Sequence, residues 1–200
     1  HHAHVGTTLF NMTVHPVSGD LFVTNTESVN EVRFEGPGVV GGSTVQGHLT
    51  EARVTVIDNP NTTDLSGASV KPRHLNKHID YGTLASEVGF DATAKQHSLA
   101  TPLEVVIDSS GSTLYVAAFG SSKIGVLGTV ALEANTFDPT LASASYIDVS
   151  GGGPSGLALD ETNNRLYVLT RFDNSIAVVD LGNGSEQDHV ALHSPEPAIV

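Results

Sequence analysis

Hydrophobic and polar residues alternate with a period of two along much of the chain, most clearly within residues 154–181. Leu157 and Leu159 flank Ala158, a polar turn follows, and two further runs are rich in β-branched and aromatic residues. Short alternating runs joined by turns of about two to five residues predict an antiparallel meander of three strands. A fourth, outer strand is predicted at 188–192.

The same pattern occurs twice more in the chain. Tyr115 and Tyr167 are 52 residues apart and lie in matching Leu-Tyr-Val segments, and Phe22 occupies the same place 93 residues before Tyr115. Four antiparallel strands repeated at about 40 to 50 residues are typical of β-propeller blades. The sequence therefore predicts an all-β fold, a β-propeller of four-stranded antiparallel blades, with about three blades present. In the middle copy the outer strand is predicted at 146–149.

The copies also predict the organisation of the chain. Residues 1–6 form an N-terminal tail, followed by blade 1 at 7–90, blade 2 at 91–150, blade 3 at 151–193, and the start of a further blade at 194–200. Blade 1 contains an inserted hairpin at 26–53, because its second and third strands are 23 residues further apart than in blade 3. Closed propellers have about four to eight blades. We therefore expect either part of a longer propeller or closure by self-association.

Composition excludes several classes of function. The formal net charge of −13, with only nine scattered Lys and Arg residues, disfavours nucleic acid and anionic lipid as partners. No apolar run approaches the roughly 18 residues of a membrane-spanning helix. The absence of cysteine excludes disulfides, thiolate metal sites and CxxCH haem attachment within these residues. An acidic, Lys-poor β protein rich in Asn, Thr and Ser is typical of an exported protein.

The hairpins between second and third strands predict a binding surface. They project from the same end of every blade, and loops carry function more often than the strands they connect. We call this end the rim. The candidate binding residues on it are Arg33, Glu35 and His48 in the insertion, and Lys123, Arg171 and Asp173 in the other two blades.

The remaining histidines suggest metal binding only weakly. Residues 70–81 are predicted to be the outer strand of blade 1, which places His74, Asn76, His78 and Asp80 on one side. Two His and one Asp suit Zn²⁺ or Cu²⁺, but positions i and i+4 on a strand lie roughly 13 Å apart. A polar docking edge is therefore the favoured interpretation, with His74, His78 and Asp80 as weak metal candidates. His1, His2 and His4 are terminal, and His15 is predicted to cap a turn.

No catalytic constellation is predicted. Ser155 lies between glycines, but a nucleophile elbow requires a strand-to-helix turn, and no helix is predicted in this chain. The inner strands, which would line a propeller channel, show apolar residues at 12, 14, 105, 107, 157 and 159. Inward-facing carboxylates and histidines, which a propeller hydrolase requires, are not expected.

A family resemblance adds to this interpretation. The Leu-Phe-Val-Thr-Asn segment at 21–25 and its Leu-Tyr-Val counterparts resemble the YVTN-type repeat of surface-layer, cytochrome-d1-like and quinoprotein-like propellers. Segments such as NEVRFEGPG, PRHLNKHIDYG and LHSPEPAIV resemble the propeller portion of large bacterial proteins whose later region is similar to di-haem cytochrome c peroxidases. The resemblance implies an exported, periplasmic or cell-surface propeller of seven blades, followed by haem-binding modules with CxxCH. Because CxxCH is absent, no haem-binding residue is assigned here, and haem is expected only in a downstream region.

Three hypotheses of function follow. The first is a non-catalytic binding or scaffold segment that docks a protein partner or positions a neighbouring cytochrome c-type domain for electron transfer. The second is a metal-dependent hydrolase or lactonase-like propeller. The third is a self-associating structural or surface-layer module. All three place the chain in the periplasm or outside the cell, without a membrane span, and the first expects no cofactor in this chain.

Overall fold

The computed structural model describes residues 6–29, 50–58, 67–79 and 92–192. These residues form three four-stranded sheets, in which each strand pairs antiparallel with the next one along the chain. The inner strands of consecutive sheets lie side by side. The predicted all-β architecture of about three propeller blades is thus confirmed.

The first sheet contains β1 (Thr8–Val14), β2 (Leu21–Ser28), β3 (Thr50–Ile57) and β4 (Val70–His74). The ladder between β2 and β3 continues out to the pair formed by Ser28 and Thr50. Both strands have eight residues, whereas the second strands of the other two sheets have six. The chain therefore leaves the sheet toward the insertion, and returns from it, along two adjacent strands. Residues 30–49 themselves lie outside the described residues.

The second sheet contains β5 (Pro102–Ile107), β6 (Thr113–Ala118), β7 (Lys123–Gly128) and β8 (Ile147–Asp148). The third contains β9 (Pro154–Asp160), β10 (Arg165–Thr170), β11 (Ser175–Asp180) and β12 (Ser185–Ala191). The outer strand of the second sheet is shorter than predicted. That of the third sheet begins three residues earlier than predicted, because it pairs with β11 back to its first turn.

Within the described residues, three short α-helices correct the expectation of a helix-free chain. They are α1 (Ala92–Gln96), α2 (Thr129–Glu133) and α3 (Pro139–Ala142). The sequence does carry a signal for α3, since Asp138 accepts a hydrogen bond from the Thr140 amide and Pro139 occupies the first turn. Among the described residues, no helix has the length and apolar character needed to cross a membrane.

The two faces of each sheet differ in the same way in all three blades. Successive residues of a strand point to opposite faces, so the Leu and Val of each second strand share one face and the aromatic residue between them lies on the other. We call these the Leu–Val face and the aromatic face. The Leu–Val face carries Leu21 and Val23 in the first sheet, Leu114 and Val116 in the second, and Leu166 and Val168 in the third. The aromatic face carries Phe22, Tyr115 and Tyr167 in the same order.

Two hydrophobic cores join the sheets through these faces. In the first, Phe22 on the aromatic face of the first sheet clusters with Leu114 and Val116 of the second. In the second, Leu166 and Val168 of the third sheet are buried, and Tyr115 packs against them. Full burial of one Val or Leu side chain contributes about 1.5–3 kcal/mol. The middle sheet is therefore held on both of its faces.

His15 caps the turn after β1, as predicted, and also links two blades. Its Nδ1 accepts hydrogen bonds from the amides of Val17 and Ser18, at 3.2 and 3.0 Å. Its Nε2 donates to the carbonyl oxygen of Gly111 in the equivalent turn of the next blade, at 2.7 Å. One imidazole thus shapes its own turn and joins it to the neighbouring one.

The outer strand of blade 1 ends earlier than predicted. β4 stops at His74, and residues 75–78 form a turn in which Asn76 is buried. The Asn76 side chain accepts from the Leu99 amide at 2.8 Å and donates to the Leu99 carbonyl at 2.9 Å. The prediction that His74, Asn76 and His78 share one side of a strand is therefore wrong. Asn76 instead fixes the segment that brings Leu99 into the first core.

Leu99 explains why the third strand of the middle blade contains Gly125, where the third blade has Ala177. A Cβ atom built on Gly125 would lie 2.6 Å from Leu99 Cδ1 and 2.7 Å from Val116 Cγ1. We predict that Gly125→Ala lowers the free energy of unfolding by about 1–3 kcal/mol through overpacking, and that Leu99→Ala lowers it by about 2–5 kcal/mol. Urea unfolding of the single and double variants measures both effects.

In the double variant the added methyl occupies space that Leu99 vacates, so its loss should be smaller than the sum of the single losses by about 1 kcal/mol. Gly156→Ala is the control, because its Cβ would lie 3.4 Å from the nearest atom, the Leu169 Cβ. Strict additivity of the two single losses would show that Leu99 is not the cause.

Candidate functional site

Three of the six predicted rim residues lie in the described part of the chain. Lys123 is the first residue of β7, and Arg171 and Asp173 belong to the turn between β10 and β11. The Lys123 ammonium donates to the carbonyl of Gln96 at 2.8 Å, and the Arg171 amide donates to the carbonyl of Gly153 at 3.1 Å. Arg33, Glu35 and His48 lie outside the described residues. The common binding rim stays a prediction.

An aromatic pair, which sequence reasoning missed, joins the two described hairpins at the rim. The rings of Phe119 and Phe172 meet edge to face, with their centroids 5.1 Å apart. Phe172 is nonetheless 68% exposed. Gly152 and Gly153 lie beneath the pair in left-handed backbone conformations, and a Cβ on either would fall 2.7–2.9 Å from the Phe172 ring. The two glycines therefore let the chain pass under a large, exposed aromatic side chain.

The densest polar cluster lies beside this turn and includes Asp173. His189 Nε2 is 2.5 Å from Asp173 Oδ2, and His189 Nδ1 is 3.0 Å from Glu186 Oε1. The hydroxyl of Ser150 donates to Glu186 Oε1 at 2.7 Å, and that of Thr170 donates to Asp173 Oδ1 at 2.8 Å. We call these five residues the His189 cluster. It ties β12 to the β10–β11 turn and to the connection before β9.

A bulge in β12 explains why this cluster was not found from the sequence. Glu186 and His189 are three positions apart, so strict alternation would point them to opposite faces of the sheet. The β11–β12 register shifts between Val178 and Val179, and Gln187 has no partner residue on β11. One extra residue returns Glu186 and His189 to the same side. Because no local sequence pattern marks the bulge, the alternation rule separates residues that the structure brings together.

Hydrogen bonding sets the charge state of the cluster. Hydrogen bonding to Asp173 is the largest effect on the His189 imidazole and raises its pKa, with Glu186 adding to the increase. Desolvation acts to raise the pKa of both carboxyl groups. Hydrogen bonds from Thr170 and His189 outweigh it at Asp173, and those from Ser150 and His189 outweigh it at Glu186, so both pKa values are lowered. The arrangement favours an imidazolium between two carboxylates.

This charge state limits the chemistry of Ser150. Its Oγ is 3.2 Å from His189 Nδ1, which superficially resembles a Ser–His–Asp arrangement. However, both imidazole nitrogens donate to carboxylates, and the Ser150 hydroxyl donates to Glu186. An imidazolium cannot accept the proton of the serine. The cluster is therefore arranged as an ion pair network, which we call the ionic clasp, in which His189 joins Asp173 to Glu186. An open depression of about 600 Å³ adjoins it and is lined by Asp148, Val149, Ser150, Glu186, Gln187, Asp188 and His189.

The described weak metal candidates, His74 and His78, lie in different local structures. His78 lies in the turn after β4, where its Nε2 donates to the Ala94 carbonyl at 3.0 Å, and its ring meets that of His97 edge to face at 5.8 Å. His74 ends β4, and Asp80 lies outside the described residues. Within the four described ranges, no group of three or more His, Asp or Glu side chains is arranged to hold a metal ion.

A carboxylate on one inner strand contacts a polar residue of the neighbouring inner strand. Asn11 of β1 donates from its side-chain amide to Glu104 Oε1 of β5, at 2.6 Å. Strand pairing is irregular beside this contact. The β1–β2 register shifts after Leu9, and the β5–β6 register shifts after Pro102. Asn11 and Glu104 are thus polar neighbours on these two strands, and the expected lack of inward-facing carboxylates stays a prediction.

Comparison with known proteins supports the fold and leaves the function open. No protein-family model matches the sequence, and no curated protein matches it. Three solved structures of propeller proteins are similar to it. A hydrazine synthase from Kuenenia stuttgartiensis has a TM-score of 0.59 and 18% sequence identity, and the match covers 88% of this chain and 46% of that chain. A periplasmic gluconolactonase from Pseudomonas aeruginosa has a TM-score of 0.54 and 18% identity, with 94% of this chain and 43% of that chain covered. A nidogen–laminin complex has a TM-score of 0.51 and 14% identity, with 94% of this chain and 49% of that chain covered.

This chain spans less than half the length of each of these three structures. At such identities the similarity shows the fold alone. The YVTN repeat and the link to cytochrome c peroxidases therefore remain predictions from the resemblance.

The His189 cluster makes stability depend on pH in a defined direction. The raised pKa of His189 contributes stability that is complete below its ordinary value of 6.5 and is lost as pH rises through the raised value. The lowered pKa values contribute stability above the ordinary 3.8 of Asp173 and 4.5 of Glu186, which is lost as pH falls through the lowered values. We predict that His189→Gln is most destabilising between these limits, near pH 5.5.

Urea unfolding of wild type and His189→Gln at pH 5.5 and pH 9 measures the effect. The difference between the two proteins should shrink at the higher pH, because wild type then loses the imidazolium charge. Gln187→Ala is the control, since it changes the same strand without removing a titrating group. If wild type exceeded His189→Gln in free energy of unfolding by the same amount at both pH values, His189 would not act as an imidazolium paired with the two carboxylates.

Proposed function

We propose that this chain is a non-catalytic binding segment of an exported propeller and that it docks a protein partner through the rim. The exposed Phe172, held by Phe119, is the observation that carries the proposal. We place the chain in the periplasm or at the cell surface, as expected from its composition and from the family resemblance. An adjacent cytochrome c-type domain is one partner of the proposed kind, positioned by the rim for electron transfer.

Several features of the rim suit a protein partner. Aromatic residues and arginine are enriched at protein interfaces and dominate their binding energies. Phe172 and Arg171 are both exposed and adjacent in one turn. The ring of Phe172 packs edge to face against Phe119 and lies close to Gly153, so less side-chain entropy is lost when a partner covers it than for an unsupported ring.

The His189 cluster supports the same turn. Asp173 follows Phe172 directly and is bound both by Thr170 within the hairpin and by His189 from β12. Such contacts hold the backbone of the turn in place from two sides. The partner we expect therefore has an apolar pocket for the Phe172 ring, bordered by carboxylates that face Arg171 and Lys123.

Metal-dependent hydrolysis, with a lactone as substrate, is the second candidate function. The observation that favours it is the contact between Asn11 and Glu104 on adjacent inner strands, beside irregular strand pairing. Bulges are over-represented next to active sites, and a carboxylate at this place is suited to bind a metal ion or to act as a general base.

Loss of the exposed ring tests the binding proposal. We predict that Phe172→Ala lowers recovery of a specific protein from the exported fraction of the source organism by about tenfold or more, as expected for removal of a central aromatic contact. Immobilised wild type and variant are compared by quantitative mass spectrometry. Leu141→Ala is the matched control, because Leu141 is 75% exposed and lies in α3, outside the hairpins that form the rim. Equal losses in the two variants would contradict a role for the rim.

The hydrolase alternative has a separate test. Glucono-δ-lactone hydrolysis is measured with the purified chain, with and without added Ca²⁺ or Zn²⁺. If Glu104 acts as a general base, Glu104→Gln should lower the metal-dependent rate by about 10²–10⁴-fold, whereas the control Glu133→Gln should leave it unchanged. A rate that does not exceed the spontaneous one would dismiss this function.

A further inference from the structure

Two imidazole rings from the connection between the first and second sheets contact each other. His78 lies in the turn after β4, and His97 follows α1 directly. Their ring centroids are 5.8 Å apart, and their planes are almost perpendicular, at 88°. Both side chains are half-buried. The pair is separate from the Phe119–Phe172 contact at the rim and from the His189 cluster.

Hydrogen bonding at His78 leaves one of its ring nitrogens with a free lone pair. Nε2 is 3.0 Å from the Ala94 carbonyl oxygen, which can only accept, so Nε2 carries the hydrogen. The Ser98 hydroxyl donates to the same carbonyl at 2.6 Å. In a neutral imidazole Nδ1 is then an acceptor. This atom is buried and has no hydrogen-bond partner within the described residues. A buried acceptor without a partner is rare and points to a bound water or ion.

Ser143 fixes the position of the hydrogen on His97. The Ser143 hydroxyl donates to the Thr140 carbonyl at 3.1 Å, so it accepts the hydrogen bond from His97 Nδ1 at 2.5 Å. In the neutral imidazole the hydrogen is therefore on Nδ1, and Nε2 keeps its lone pair. Histidines that bind metals characteristically donate their other ring N–H to an oxygen acceptor. Both His78 and His97 show this arrangement.

We propose that His78 Nδ1 and His97 Nε2 bind one divalent transition-metal ion of the kind that imidazole prefers, Zn²⁺ or Cu²⁺. With metal–nitrogen bonds of about 2.1 Å, two imidazoles on one ion have centroids roughly 5 to 6.5 Å apart, depending on the angle at the ion. The observed 5.8 Å lies in this range. An ordinary aromatic contact has a similar spacing. The buried, free lone pair of His78 therefore carries the proposal, because an ion supplies the partner that Nδ1 lacks.

The surrounding hydrogen bonds hold the two rings together before an ion binds. Asn76, two residues before His78, binds both the amide and the carbonyl of Leu99, two residues after His97. Little ordering of the two segments is then needed, which favours binding. Structural zinc sites use four protein ligands, whereas two are assigned here among the described residues. We therefore expect an exchangeable ion with coordination positions open to water or to a further ligand.

Titration calorimetry with Zn²⁺ alone tests the site. The parent protein is the whole chain with His1→Ala, His2→Ala and His4→Ala, because three adjacent imidazoles at the terminus can bind metal by themselves. The parent should bind one Zn²⁺. The proposal is independent of the rim, since it requires no protein partner.

Variants of this parent separate the ligands from their support. Ser143→Ala keeps both imidazoles but no longer fixes the hydrogen on His97, so the affinity for Zn²⁺ should fall by about tenfold. His78→Gln and His97→Gln each remove a ligand and should lower the affinity further. His15→Gln is the control. Both nitrogens of His15 are already hydrogen-bonded, so this variant should bind Zn²⁺ like the parent.

Cu²⁺ gives a measurement on the parent that does not depend on the folding of any ligand variant. At substoichiometric Cu²⁺, paramagnetic relaxation should broaden the NMR signals of His78 and His97 first and leave those of His15 and His189 sharp. Circular dichroism confirms that each variant is folded. The metal site would be overturned if the parent bound no Zn²⁺, if both ligand variants bound it as well as the parent, or if Cu²⁺ first broadened signals elsewhere. The two rings would then form an aromatic contact only.

Discussion

The packing of an aromatic face on the Leu–Val face of the next sheet is the contact on which the whole structure depends. No sheet of four short strands buries enough apolar surface alone, and here each sheet is stabilised by its neighbour. Phe22 against Leu114 and Val116, and Tyr115 against Leu166 and Val168, are two instances of one interface. The side chains between the sheets thus set the distance between neighbouring blades. That distance in turn sets how far apart the loops of neighbouring blades lie at both ends.

The same periodicity explains why the fold could be predicted from the sequence and why the site could not. Repeated Leu-aromatic-Val segments indicate both strand and face, so three blades follow from alternation alone. Glu186 and His189 meet only because a bulge at Gln187 breaks the alternation. Asn76 was assigned to a strand because it lies among alternating residues, yet it belongs to a turn that binds the backbone of Leu99. Where bulges and side-chain-to-backbone bonds decide position, a period of two misplaces the residue.

The two ends of the blades are built differently. At one end, polar turns are joined from blade to blade, by His15 to the Gly111 carbonyl and by the Ser109 amide and hydroxyl to Glu161. At the rim, the joint consists of an aromatic pair, in which Phe172 is exposed, beside an ionic cluster. Apolar side chains are exposed at both ends, Val17 and Val130 at the first and Phe172 at the rim, but the side chain exposed at the rim is an aromatic ring. This difference supports the proposal that the binding surface lies at the rim.

The long ladder between β2 and β3 has a mechanical consequence. Its outer pairs reach beyond the length of the other second strands, and Arg53 braces them through Glu51 at 2.6 Å and Glu27 at 3.2 Å. A pull on residues 30–49 would load both strands in the same direction, so the hydrogen bonds across the ladder would open one after another from Ser28 and Thr50 inward. A rotation of residues 30–49 would instead turn the two paired strands together, and the paired strands would transmit the rotation to Phe22 and Val56 in the first core.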